Sequence, residues 1–204
     1  MKKFLTVLAI VLLGFCNSSF AEEQTSTIIT GVEFSWVNMT QVERDEAISL
    51  YRKEIFGTDD LASVKRKTFR NSYKDVLKDS NYKANYRLIS NGATESKDAR
   101  LCGFFYKDDI LYMYAIQPNK NPKNIFYYTA FGRLAYVDTL SDNYPNFPYH
   151  SKQYRANGKL AGAIYFISKD LQYVYTPNGE FKGVWYKDKM FDEKGKQILT
   201  RNNW

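Results

Sequence analysis

The stretch YRANGKLAGAIY at residues 154–165 returns as YTPNGEFKGVWY at residues 175–186, and this pair decides the fold. Five of the twelve positions are identical, including an Asn-Gly pair and a second glycine four residues later. Asn-Gly favours a tight hairpin turn because both residues tolerate positive φ. Aromatic and β-branched residues, which favour strands, flank it. Each copy therefore predicts a β-hairpin, with a bulge or a close backbone contact at Gly162 and Gly183.

Two weaker copies lie on either side of this pair. YTAFGRL at residues 128–134 keeps the aromatic residue, the glycine, the base and the leucine, and FDEKGK at residues 191–196 keeps the first three. The glycines of the four copies are separated by 26, 21 and 16 residues. A long solenoid has a regular period, so this irregular spacing predicts a compact sheet built from repeat-like hairpins.

These motifs resemble known repeat families. The sequence FKGVWYKD at residues 181–188 resembles the aromatic-x-Gly-x-Trp core of MORN repeats, and the Tyr-x-x-Asn-Gly-Lys sequence at 154–159 is similar to the MORN-variant repeats of an antitoxin-like family. Residues 128–134 resemble YD repeats almost as well, which makes that family the second choice. The resemblance covers about a third of the chain. The antitoxin-like family implies a protein that neutralises or displays a toxin.

Residues 38–80 have the periodicity of a helical pair. The first helix is predicted to begin at the capping box Thr40-Gln-Val-Glu43 and to end at Gly57. The second is predicted to begin at Thr58-Asp-Asp, with apolar residues at helical spacing as far as Val76. The apolar positions of the first helix share one face: Ala47, Ile48, Tyr51 and Ile55.

Strand-like segments begin near Leu101 and continue to the end of the chain. The runs at residues 110–116 and 160–167 are apolar on both faces, as in strands covered on both sides. The segments 107–110 and 187–190 predict further turns. The expected fold class is α+β, with an N-terminal helical pair followed by an antiparallel β-meander of eight to ten short strands.

The N-terminus has the pattern of a signal peptide. Two lysines precede an apolar run over residues 4–15, and NSSFA follows at residues 17–21. A charged segment, a short apolar segment and a small-residue site predict cleavage after Ala21 and export to the periplasm or the medium. Cys16 offers a lipoprotein alternative, although Phe15 occupies the place where a lipoprotein processing site has a small residue.

Removal of residues 1–21 would leave a polar leader over residues 22–37 and a single domain over 38–204. The domain is predicted to have a helical part at 38–80 and a hairpin sheet at 101–204. Cys102 would be its only cysteine, so an internal disulfide is excluded. The formal net charge is +7, of which Lys2 and Lys3 supply two. A modest positive charge is compatible with anionic partners.

Most catalytic and metal-binding motifs are absent from the sequence. The only histidine is His150, no CxxC pair occurs, and neither a nucleophile elbow nor a phosphate-binding loop is found. We therefore predict no catalytic residues, no metal site and no cofactor. A hydrolase that uses His150 with a carboxylate remains an alternative, and its candidate acids are scattered along the chain: Asp138, Asp142, Asp170 and Glu180.

Three groups of residues are candidates for binding. The Pro-containing segment 144–152 and the repeats supply aromatic residues that would form a contact surface if exposed, and a packed core if buried. The candidate aromatic site consists of Tyr144, Phe147, Tyr149, His150, Tyr175, Trp185 and Tyr186. A basic stripe on the second helix would either contact anionic lipid or be solvated; it consists of Lys67, Arg70, Lys74 and Lys78.

The repeat, the signal peptide and the missing catalytic motifs lead to one functional hypothesis. The chain is predicted to be an exported, non-enzymatic binding or scaffold protein of the bacterial envelope, acting through its hairpin sheet and aromatic loop. The expected partner is an envelope protein or glycan, with an anionic membrane surface as a further possibility and no nucleic acid. The hydrolase and the toxin-neutralising repeat protein are the alternatives.

Overall fold

The computed structural model describes residues 36–69, 95, 97–107 and 109–201, with the side chain of Lys107 excepted. The predicted signal peptide and most of the polar leader lie outside these residues. So do three of the four residues of the predicted basic stripe, Arg70, Lys74 and Lys78.

Two helices open the described chain, as the sequence predicts. Helix α1 spans Gln41–Phe56, and its N-terminus is closed by a capping box in which Thr40 and Glu43 exchange hydrogen bonds. Gly57 ends the helix with φ of 75°, in the left-handed region that glycine adopts without strain. Helix α2 spans Leu61–Arg66, and the carboxylate of Asp60 accepts hydrogen bonds from its first turn.

The second helix is shorter than its sequence pattern suggests. It ends at Arg66, and Lys67 has an extended backbone with φ of −78° and ψ of 138°. Val64 of this helix is buried and packs against the β7–β8 turn, where Gly179 has no side chain. The amphipathic pattern of the sequence runs past Arg66, and a pattern alone does not fix where a helix ends.

Ten strands follow in an antiparallel meander whose order in the sheet is the order in the chain. The predicted α+β class and strand number are confirmed. The strands are β1 (Ala99–Lys107), β2 (Ile110–Pro118), β3 (Asn124–Thr129), β4 (Leu134–Leu140), β5 (Tyr149–Arg155), β6 (Leu160–Phe166), β7 (Leu171–Tyr175), β8 (Phe181–Tyr186), β9 (Lys189–Phe191) and β10 (Gln197–Thr200).

Four hairpins share one turn geometry, and these are the four copies of the sequence repeat. In the β5–β6 turn the N–H of Gly158 donates to the carbonyl of Arg155, and the N–H of Arg155 donates to the carbonyl of Lys159. The same two bonds recur at residues 129–133, 176–180 and 192–196. The glycine has φ between 74° and 80° in every copy. The two weak copies are therefore structurally equivalent to the two strong ones.

The prediction that asparagine also takes positive φ is wrong. Among the described non-glycine residues, only Asp109 and Lys187 have positive φ, so Asn157 and Asn178 do not. The turn is the three-residue form, in which only the last residue is left-handed. Asn157 instead uses its side chain, which accepts a hydrogen bond from the N–H of Lys159.

A bulge also recurs at a fixed distance from the turn. One extra residue lies three positions after the turn glycine in β4, β8 and β10, at Ala135, Lys182 and Ile198. Next to the bulge in β8, Gly183 has φ of 151°. A β-carbon there would lie 2.6 Å from the carbonyl oxygen of Phe191, so the predicted bulge and the predicted close backbone contact both exist at Gly183.

The chain forms two compact units. The described part of the first comprises residues 36–68, 143–151 and 162–201, so it contains both helices and β7–β10. The described part of the second unit comprises residues 69, 95, 97–107, 109–142 and 152–161, and it contains β1–β4. Each has its own buried core, which in the second includes Phe105, Ile116 and Tyr127.

Candidate functional site

Several aromatic side chains of the two strong repeat copies lie in the core of the first unit, among them Tyr165, Tyr175 and Trp185. Tyr173 and Tyr175 are buried under helix α1, and the Tyr175 hydroxyl donates to the carbonyl of Ile48 at 2.8 Å. The ring of Tyr51 lies 4.7 Å from that of Tyr165 and 4.5 Å from that of Tyr173, centroid to centroid. Burial raises the pKa of Tyr173 and Tyr175 above its ordinary value, so these phenols stay neutral.

Trp185 is also part of this core. Its ring is buried, and the guanidinium of Arg201 lies over it at 4.5 Å from the centroid. Arg201 donates from two nitrogens to the carbonyl of Lys187, which holds the end of the described chain against the sheet. Burial lowers the pKa of Arg201 to about 10, so the guanidinium remains charged at neutral pH. This arrangement is a cation–π contact that secures the chain.

The predicted aromatic loop folds back on itself and on β6. Tyr149 is buried, and its ring stacks on Phe166 at 4.7 Å. The rings of Tyr144 and Phe147 each lie 5.2 Å from that of Tyr149, and the Asn143 side chain donates to the carbonyl of Pro148. The loop therefore packs against β6.

The candidate aromatic residues therefore have two different environments. Tyr149, Tyr175 and Trp185 are buried, so their rings are not accessible to a ligand in this structure. The remaining four are half-buried and keep an accessible edge: Tyr144, Phe147, His150 and Tyr186. Contiguous exposed aromatic rings are what a stacking platform requires, and the candidate set does not form one.

The basic stripe is represented in the described residues by Lys67 alone. Lys67 is exposed and lies after helix α2 rather than on it. Its ammonium group donates to the carbonyl of Phe56 at 3.4 Å. A neighbouring lysine, Lys65, forms an ion pair with Glu180 at 2.8 Å.

The candidate acids of a hydrolase are engaged separately. Glu180 pairs with Lys65, and Asp142 pairs with Lys123 at 2.5 Å. Asp138 is completely buried on β4 and accepts a hydrogen bond from the hydroxyl of Tyr127 at 2.7 Å. Over the residues that the structure describes, no three His, Cys, Asp or Glu side chains group closely enough to hold a metal ion.

The environment of Asp138 makes its carboxyl a neutral group. Burial raises its pKa to about 8, and the hydrogen bonds from Tyr127 and Gln153 lower it only in part. Oδ1 of Asp138 has no hydrogen-bond partner among the described residues. A carboxyl that is protonated at neutral pH and has no access to solvent is a structural group.

The two most exposed large apolar side chains of the described residues, Phe131 and Ile110, lie at hairpin tips of the second unit, and the sequence did not predict them. Phe131, in the β3–β4 turn, is 92% exposed. Ile110 and Tyr106, at the tip of the β1–β2 hairpin, are 71% and 59% exposed. We call Tyr106, Ile110 and Phe131 the apolar tips.

The position of Phe131 in the repeat indicates that its side chain should be exposed. The residue immediately before the turn glycine is polar in the other three copies, where Asn157, Asn178 and Lys194 are all exposed. Phe131 occupies the equivalent position. Because the shared turn geometry directs this position to solvent, an aromatic residue there must also be exposed.

Basic side chains accompany the apolar tips. Arg133 follows Phe131 in its turn, and Arg155 and Lys159 lie on either side of the β5–β6 turn; all three are exposed. Asp109 is an exposed acid in the same region, and Asp108 precedes it in the sequence. The tips of the second unit therefore combine large apolar groups with a small excess of positive charge.

Comparisons with known proteins do not assign the chain to a family. No family model, no curated protein and no solved structure matches it. None of the helices within the described residues has the length and apolar character needed to cross a bilayer. The resemblance to MORN-type or YD repeats stays a prediction.

Proposed function

We propose that this chain is a non-enzymatic binding protein that is exported and acts at the bacterial envelope. Its contact surface is the set of apolar tips, Tyr106, Ile110 and Phe131. The observation that carries the proposal is the exposure of Phe131, which leaves almost an entire phenylalanine side chain in water. A folded domain gains nothing from such exposure, whereas a partner that buries the ring would gain roughly 1.5–3 kcal/mol.

The distribution of the other aromatic residues supports this location. Tyr149 of the 144–150 segment and Tyr175 and Trp185 of the repeats are buried, so these rings build the core. The apolar tips have no such structural role. The proposed binding surface therefore lies on the turns of the hairpins and not on the aromatic loop.

Binding to envelope fractions tests the proposal. The full chain would be expressed in a bacterium, and the processed protein would be purified and mixed with isolated membranes, with cell-wall sacculi and with a buffer blank. We expect it to sediment with at least one envelope fraction, and we expect Phe131→Ser to weaken that binding about tenfold.

A matched control tests whether binding depends on the apolar tips or on any exposed apolar side chain. Val42 is 66% exposed on helix α1, in the other unit, so Val42→Ser removes an apolar side chain of similar accessibility. This variant should bind as the unaltered protein does. Equal binding by Phe131→Ser, with unfolding behaviour unchanged, would exclude the tips as the contact surface.

A further inference from the structure

We infer that the apolar tips, together with Arg133, Arg155 and Lys159, bind the surface of an anionic lipid bilayer. This inference rests on the proposed function and names the partner. We call the combined surface the hairpin rim. The ligand chemistry is a phosphate-bearing headgroup layer with acyl chains beneath it.

The backbone hydrogen bonds place the three turns of the rim side by side. Lys107 pairs with Ile110 at the first tip. The N–H of Ala130 donates to the carbonyl of Tyr112, which joins the second tip to the first hairpin. The N–H of Ala156 donates to the carbonyl of Ala135, which joins the third tip to the second hairpin.

The spacing of these tips suits a flat surface. Neighbouring strands lie about 4.8 Å apart, so successive hairpin tips are separated by roughly 10 Å. The three tips then extend over about 20 Å, which is comparable with the footprint of a few lipid headgroups. A row of turns on adjacent antiparallel hairpins can meet a planar interface at the same time.

The apolar residues are those that enter such an interface. Tryptophan and tyrosine are enriched at the level of the headgroups, where their apolar part contacts acyl chains and their polar part stays hydrated. Phe131 and Ile110 are the two most exposed large apolar residues in the described chain, and Tyr106 adds a ring with a polar end. Interfacial binding needs apolar groups that project in this way.

The charges favour an anionic bilayer over a neutral one. Arg133, Arg155 and Lys159 are exposed at the same turns, and Asp109 is the exposed acid among the described residues of these turns. Each basic residue near an anionic lipid surface strengthens binding by about fivefold. Arginine also donates several hydrogen bonds to phosphate oxygens.

The shape of the rim favours lipid over a folded protein partner. Phe131 stands on a turn and is almost fully exposed, so it projects from the surface. A protein would need a matching cavity for each projecting side chain, whereas a fluid headgroup layer rearranges around it. Separate projecting side chains with nearby bases are the arrangement of a peripheral membrane surface.

Sedimentation with lipid vesicles tests the inference. The processed full chain would be mixed with vesicles of phosphatidylglycerol and phosphatidylethanolamine, and separately with vesicles of phosphatidylcholine alone. We expect binding to the anionic vesicles to be much stronger and to fall as salt is raised. Phe131→Ser should weaken it about tenfold, and the double variant Arg155→Gln, Lys159→Gln about 25-fold.

The outcomes distinguish this inference from the proposed function. Val42→Ser is again the control, and thermal unfolding checks that every variant is folded. Binding to sacculi or native membranes without binding to pure lipid vesicles would overturn the lipid partner while the proposed function stands. Equal binding to anionic and neutral vesicles would also overturn it, as would loss of vesicle binding in the control.

Discussion

The surroundings of an acidic residue decide its protonation state in this chain, and Asp138 is the clearest case. The sequence offers four acids as possible catalytic groups, and nothing local separates them. In the folded chain Glu180 is a half-exposed ion-pair partner, whereas Asp138 is buried between strands and accepts a hydrogen bond from Tyr127. Its protonation state follows from that burial, because removal from water disfavours the charged form.

Asp138 should make the stability of the protein depend on pH. Its pKa is about 8 when folded and 3.8 in its ordinary state. Between these values the unfolded chain ionises and the folded chain does not, so the free energy of unfolding should fall as pH rises from about 4 to about 8. The slope from this residue is at most about 1.4 kcal/mol per pH unit.

Urea unfolding at several pH values measures this slope. Asp138→Asn should remove most of this pH slope, since the amide does not ionise. The free energy of unfolding of the variant should therefore rise relative to that of the unaltered protein as the pH approaches 8. Asp142→Asn, at an exposed carboxylate, is the control and should keep the slope. If the free energy of unfolding changed with pH in the same way for Asp138→Asn and for the unaltered protein, the carboxyl of Asp138 would not be the neutral buried group described above.

At the scale of elements, the repeated unit is a hairpin with a defined turn and a defined bulge. The left-handed glycine and the extra residue three positions later recur in hairpins whose sequences share little else. A bulge bends its strand and increases the local twist. The repeat therefore sets the local geometry of each hairpin, while its aromatic residues are free to vary between core and surface.

The bulge glycine should be far less tolerant of substitution than the helix-ending glycine. Gly183→Ala would place a β-carbon 2.6 Å from the carbonyl oxygen of Phe191, in a backbone conformation that alanine rarely adopts. At Gly57, where φ is also positive, no atom lies within 4 Å of such a carbon. Gly57→Ala should cost about 1–2 kcal/mol of stability from the backbone alone.

The comparison of the two variants isolates the steric contribution. Overpacking adds typically about 1–3 kcal/mol, so Gly183→Ala should lower the free energy of unfolding by at least about 1 kcal/mol more than Gly57→Ala. Chemical denaturation of both variants gives the two values. Equal losses would mean that the strand around Gly183 adjusts freely, and the close contact with Phe191 would then have no structural importance.

At the scale of the whole molecule, export remains a prediction from the N-terminal sequence. The charged start, the short apolar run and the small residues before Ala21 predict cleavage by a signal peptidase. Expression of the full chain in a bacterium should yield a periplasmic or secreted protein whose first residue is Glu22. N-terminal sequencing measures this directly. A cytoplasmic protein that retains Met1 would contradict both the signal peptide and an envelope function.

Much of the fold was predictable because it depends on local chemistry. The capping box at Thr40, the stop at Gly57 and the turn glycines act through the backbone conformations of the residues that carry them. The end of helix α2 was not predictable in this way. It depends on which residues of the segment pack, as Val64 does against Gly179, and an amphipathic pattern does not contain that information.

The candidate site was predicted less well, for a related reason. The sequence marks Tyr149 and Trp185 as prominent aromatics, and it gives no sign that they are covered. The exposure of Phe131 could have been read from its place in the repeat, where the other copies have Asn or Lys. Whether an aromatic ring is core or surface is decided by what lies over it, which residue type alone does not determine.

The sequence by itself determined the class of fold, the positions of the four repeat hairpins and the ends of the first helix, because each follows from φ preferences and short-range periodicity. Only the tertiary structure decided that Tyr175 and Trp185 of the repeats belong to the core and that Asp138 is neutral. It also decided that Tyr106, Ile110 and Phe131 project beside basic residues. Those properties arise when strands distant in sequence become neighbours and some side chains lose contact with water.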